Sequence, residues 1–128
     1  MSALALLLIA KILITVPLIA IFGFASNKRL NTLTGQWGHD PLIYRLYAVA
    51  LSALLVGYLA ALLTVLEQQV PWGMLWVGLV SNAGAFAMIM VWSLNPKMHR
   101  AAWAFGAIAA GLVLTLVYPA QAVAPLFG

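Results

Sequence analysis

The sequence predicts an all-α integral membrane protein: four transmembrane helices in a compact bundle, with both termini on the non-cytoplasmic side. Three observations carry that prediction. Of 128 residues, 66% are hydrophobic and 6% charged, whereas a soluble domain carries about a quarter charged residues. Long apolar runs alternate with short polar breaks. Basic residues gather at two of the three breaks.

The runs cover about 3–24, 42–66, 72–94 and 101–118. Crossing a hydrocarbon core takes roughly 20 apolar residues. Inside lipid every backbone amide must bond within its own segment, so continuous apolar runs become helices. Period-two alternation, the mark of a barrel strand, is absent from them. The first run holds Lys11 within it, and it outlasts the apolar core of a signal peptide. It is therefore expected to be a true span. Pro17 lies inside it and frees the carbonyl of Leu13.

Ser26-Asn27-Lys28-Arg29 closes the first span on its polar side. Asp40 and Pro41 then form the start signal of the second, a capping carboxylate followed by proline at the first helical position. Glu67-Gln68-Gln69-Val70-Pro71 reads as a tight hairpin, and Asn95 to Arg100 as a second short connection. Pro119 and Pro125 mark the exit of the fourth span. No repeat or linker divides the chain, so 1–128 reads as a single four-helix transmembrane domain.

Orientation follows from the basic residues. Lys28, Arg29 and Arg45 flank the first break, and Lys97 and Arg100 lie in the third; the second break holds Glu67 and no basic residue. The first and third breaks are expected in the cytoplasm. Aromatic residues suit this topology, with Trp37, Tyr44, Tyr47, Trp92 and Trp103 near one interface and Trp72, Trp76 and Tyr118 near the other. The expected location is the cell membrane, as a multi-pass protein, with a bacterial inner membrane the natural setting.

Small residues mark where helices can approach closely. Ala53, Gly57 and Ala61 form a stripe at four-residue spacing on the second span. Gly78, Ser81 and Ala85 do so on the third. The fourth offers Gly106 with Ala110, and Ala107 with Gly111. These stripes serve packing within the bundle or against another chain, and the fourth span has one more face than a simple bundle needs.

Lys11 is the one formal charge deep within a span, roughly 12 Å from its start by helical rise. Such a charge costs about 3 kcal/mol on insertion scales. It is expected either to snorkel outward to the headgroups, or to anchor an anionic group or pair with Glu67. Asn82 lies near the middle of the third span, where an amide must find a partner in protein. Lys11, Thr15, Tyr58, Asn82 and Thr115 share a depth, and together form a candidate ligand-binding pocket expected to open on the outer side.

Much chemistry is excluded. The chain has no cysteine, hence no thiolate or disulfide chemistry. No histidine lies within a span, so paired intramembrane haem ligands are absent. His39, Asp40 and His99 read as solvated loop residues rather than a metal centre. No carboxylate lies inside a span to exchange protons, and no hydrolase or phosphate-binding motif occurs. The net charge of +4 comes from six basic residues against two acidic ones, a scarcity of acids and not a nucleic-acid patch. No catalytic residue, cofactor, metal or nucleic-acid partner is expected. The expected partners are the lipid bilayer and other membrane chains or copies of itself.

The first expectation for function is a small non-catalytic membrane subunit that packs against, stabilises or positions a larger complex or a homo-oligomer. The alternatives are a membrane carrier or binding protein for a small lipophilic or anionic molecule, and a membrane enzyme acting on a lipid-soluble substrate.

Overall fold

A computed structural model describes residues 1–37 and 40–127. The described residues form helices α1 (Ala3–Phe24), α2 (Asn27–Thr34), α3 (Pro41–Leu66), α4 (Trp72–Trp92), α5 (Pro96–Val117) and α6 (Pro119–Val123). α1, α3, α4 and α5 are each long and apolar enough to cross a membrane.

Local chemistry sets the helix starts. The Ser2 hydroxyl accepts from Ala5 N–H at 3.2 Å and opens α1. α1 then runs through Pro17 without ending. Asp40 Oδ1 accepts from Leu42 N–H at 2.9 Å, and Pro41 takes the first position of α3. The same device recurs at Asn95-Pro96, where Asn95 Oδ1 accepts from Lys97 N–H at 3.0 Å. The fourth span therefore begins at Pro96, five residues before the onset of its apolar run, and the third ends at Trp92. Residues preceding a proline are driven out of helical geometry, which explains why α4 stops short of Leu94.

The first break is not a plain connection. Ser26 caps a second helix, α2, through Arg29 N–H at 3.3 Å. Gly35, at φ 71°, ends it in the left-handed conformation that glycine adopts without a Cβ penalty. α2 buries Leu30 and Asn31 and exposes Lys28 and Arg29. Hydrogen bonds hold it to α3 and to the cap of α5: Tyr44 OH donates to Asn31 Oδ1 at 3.3 Å and lies 3.1 Å from Thr34 Oγ1, and Asn95 Nδ2 donates to Leu33 O at 2.9 Å. Tyr44 is thus buried, unlike the exposed Trp37, Trp92, Trp103, Trp72, Trp76 and Tyr118. Arg45 donates to the carbonyls of Phe22 (2.9 Å) and Ala25 (2.8 Å), which the end of α1 leaves without helical partners.

The four spans form a ring in the order α1, α3, α4, α5. α1 packs closely along α3, and α4 along α5. The other two sides of the ring are looser, although α3 and α4 are neighbours in the chain. The closed end carries the Glu67 hairpin and both described terminal segments. There Leu126 N–H donates to Met1 O at 3.0 Å. Leu4, Leu8, Tyr58, Ala61, Val65, Leu75 and Leu112 fill its core. The opposite end, called the basic end below, carries α2 and the start of α5.

The small-residue stripes are divided between core and surface. Ala61 is buried, Gly57 lies against Met74, and Ala53 is exposed. On α5, Gly106 faces the Phe86 ring of α4 and Gly111 faces Leu7 of α1, while Ala110 is exposed. Both glycines of α5 meet neighbours within the chain, while Ala107 and Ala110, which complete the two stripes, are exposed.

Candidate functional site

Lys11, Tyr58 and Asn82 come together from α1, α3 and α4 in the middle of the ring. All three are buried, at 4%, 1% and 1% exposure. Lys11 Nζ donates to Asn82 Oδ1 at 2.7 Å. The same ammonium lies 4.9 Å from the centroid of the Phe105 ring and 5.7 Å from that of Tyr58, within the reach of cation–π attraction. Asn82 Nδ2 donates to its own helix at Gly78 O (2.7 Å) and to Tyr58 OH (3.4 Å). The Tyr58 hydroxyl also meets Ser81 Oγ at 3.4 Å.

Lys11 therefore does not snorkel. Its stem leaves α1 towards the centre of the ring, and an amide oxygen and two ring faces replace the water it gave up. Pairing with Glu67 is also overturned. Glu67 is an exposed residue capping the end of α3, nine positions beyond Tyr58 or roughly 13 Å along the helix. Asp40, the other carboxylate of the chain, caps the start of α3.

Thr15 and Thr115 are buried but lie outside the cluster. Thr15 is one turn beyond Lys11 towards the basic end, and Thr115 is roughly 15 Å beyond Phe105 along α5, beside Ala3 and Leu7 at the closed end. Both turn to their own backbones. Thr15 Oγ1 donates to Lys11 O at 2.7 Å and Thr115 Oγ1 to Gly111 O at 3.0 Å. Threonine in a span commonly satisfies itself in this way. Phe105 and Ser81 join the cluster without having been singled out from the sequence. In the sequence Ser81 reads as a small packing residue, and a phenylalanine in an apolar run carries no signal of its own.

The cluster sits at the wall of a cavity of about 540 Å³. Its walls include Leu51 and Leu54 of α3, Ser81, Gly84 and Met88 of α4, and Phe105 of α5. It follows the loose side between α3 and α4 and extends from Lys11 towards the basic end, not outward past the Glu67 hairpin as the sequence suggested. A second cavity of about 280 Å³ occupies the other loose side, between α1 and α5 beneath α2. The two share Tyr47, Ile89, Met98 and Phe105 as a common wall.

No family model, curated protein or solved structure matches the chain.

Of the cluster, Lys11, Ser81 and Phe105 line the cavity, while Asn82 and Tyr58 stand behind them, and the described residues contain no cluster of metal-binding side chains. His99 Nε2 lies 2.7 Å from Ser93 O, tied to the connection before α5. His39 falls outside the described residues.

Proposed function

We propose that this protein binds or carries a small lipophilic molecule with an anionic head, held in the cavity between α3 and α4 with its head at Lys11. The observation that carries the reading is a buried lysine ammonium at a cavity wall, in a chain whose two carboxylates both lie at helix ends. Among the described residues Asn82 is its one hydrogen-bond acceptor, and an ammonium has three N–H groups to give. A carboxylate or phosphate monoester entering the cavity supplies the missing charge and acceptors. The apolar walls suit a hydrocarbon tail arriving sideways from the bilayer, as in other sites with apolar linings and few polar groups.

In this reading the protein is a multi-pass cell-membrane protein, set in a bacterial inner membrane. The basic end faces the cytoplasm and the termini lie outside. A cysteine at Gln69 is then labelled by an impermeant thiol reagent on intact cells, and one at Asn27 is not. The reverse pattern inverts the orientation.

The binding test uses a long-chain carboxylic acid carrying a photoactivatable group on its tail, with the matching alcohol as control. The acid should label the α3 and α4 segments around Leu54 and Gly84 at least about tenfold more efficiently than the alcohol, since a hydrogen bond to a charged group is worth 1.5–3 kcal/mol. Lys11→Met should erase that preference while the protein stays folded. Equal labelling by acid and alcohol in the parent chain rejects the proposal.

The second reading is the non-catalytic subunit. Ala50, Gly84 and Ala85 line the same cavity, and small residues are what allow a foreign helix to approach. In that case native mass spectrometry finds a second polypeptide where the first reading finds an acidic lipophile.

A further inference from the structure

The second cavity has a different character from the first. It runs between α1 and α5, lined by Ile14, Leu18 and Ile21 on one side and Ala101 and Ala104 on the other, with Leu33 of α2 above. Lys97 belongs to its lining at the end where the spans emerge, and Lys97 is exposed. From Lys97 to Ala104 is seven residues, roughly 10 Å of helical rise. Ile21 to Ile14 gives the same depth on α1. The cavity is therefore a groove that descends from headgroup level into the hydrocarbon region, apolar along its length with a cation at its rim.

Its surroundings are also positive. Lys28 and Arg29 project from α2, and Arg100 is exposed one turn along α5 from Lys97. The Asp40 carboxylate at this end already accepts the Leu42 N–H. Basic pockets between spans attract anionic headgroups.

We propose that this groove holds one acyl chain of an anionic phospholipid, with the lipid phosphate at Lys97. The lipid covers the loose side of the ring between α1 and α5, under the α2 helix. Tyr47, Ile89, Met98 and Phe105 form the wall between it and the Lys11 cavity.

The full chain in a mild detergent, mixed with equal amounts of phosphatidylglycerol and phosphatidylcholine of identical acyl composition, tests this by native mass spectrometry. The parent should retain phosphatidylglycerol about fivefold over phosphatidylcholine, the preference that one lysine at a lipid surface confers. Lys97→Gln should bring the ratio to parity, while Lys28→Gln on the neighbouring α2 should leave most of it. Ala104→Phe, which fills the groove, should lower retention of both lipids. Lys11→Met should leave the preference intact, which separates this site from the proposed acid-binding cavity. Equal retention of the two lipids by the parent overturns the proposal. So does an equal loss from Lys97→Gln and Lys28→Gln, because that pattern describes diffuse attraction to a positive surface.

Discussion

At the Glu67 end, Leu4, Leu8, Val65, Leu75 and Leu112 close the space between the helices. At the basic end the facing positions on α3 and α4 include Ala50, Gly84 and Ala85, and the space stays open. The same helices thus build one half with a filled centre, where a groove of about 370 Å³ lies along Ala3, Leu7 and Gly111. The other half is hollow between α3 and α4. These are the solid and the hollow half. The boundary is the layer of Lys11, Tyr58, Asn82 and Phe105. The charge in that layer is held from the solid side and faces the hollow one.

Two glycines of α4 give the sharpest test of that contrast. A Cβ on Gly78 lies 3.1 Å from Leu112 Cδ1 and 3.5 Å from Tyr58 Cε1. A Cβ on Gly84 meets nothing within 4 Å. Gly78→Leu should therefore cost about 3 kcal/mol by overpacking. Gly84→Leu should cost nothing in stability and should lower labelling by the photoactivatable acid, because its side chain enters the cavity. Thermal unfolding of both variants in one detergent decides the matter. Equal losses would erase the distinction between the halves.

The boundary layer comes next in size. Asn82→Leu removes the acceptor of Lys11 and leaves a buried ammonium with only ring faces, at a cost of about 2 kcal/mol. Replacing both partners by apolar groups is a different matter, because neither is then left unsatisfied. The Lys11→Met, Asn82→Leu double variant should recover most of the stability lost by Asn82→Leu alone. Additive losses in this double-mutant cycle would mean that the two side chains do not act as a pair.

The four spans were legible in the sequence because membrane burial demands long uninterrupted apolar runs, and no competing structure meets that demand. Boundaries were legible only where polar residues announced them. Asp40-Pro41 announces a helix start plainly, whereas Asn95-Pro96 carries the same signal less visibly. The reason is that Lys97, His99 and Arg100 make the first turn of α5 look like a connection. α2 was hidden for a related reason: eight residues within a polar break bury only Leu30 and Asn31. For the site, helical rise fixes the depth of Lys11, Tyr58 and Asn82. It does not give their direction about each helix axis, which depends on how the spans pack. Thr115 lies nearer the closed end than the cluster and Thr15 nearer the basic end, and both spend their hydroxyls on their own helices.

The smallest effect separates tight sides of the ring from loose ones. Gly57 belongs to the loose side between α3 and α4, where an added Cβ meets Met74 Sδ at 2.7 Å. Gly106 belongs to the tight side between α4 and α5, where an added Cβ meets the Phe86 ring at 3.0 Å. The shorter contact is the cheaper one to relieve, because a methionine side chain swings on three rotatable bonds. The Phe86 ring moves only as a plate and already packs against Trp103 at 5.4 Å between centroids. Replacing a helical glycine by alanine gains about 0.5–1 kcal/mol of backbone propensity. Gly57→Ala should keep that gain and raise stability slightly, whereas Gly106→Ala should forfeit it and lose about 1 kcal/mol through overpacking. The two variants should move the unfolding midpoint in opposite directions. A shared direction would mean that the sides of the ring do not differ in rigidity, and that the cavities owe their openness to residue size alone.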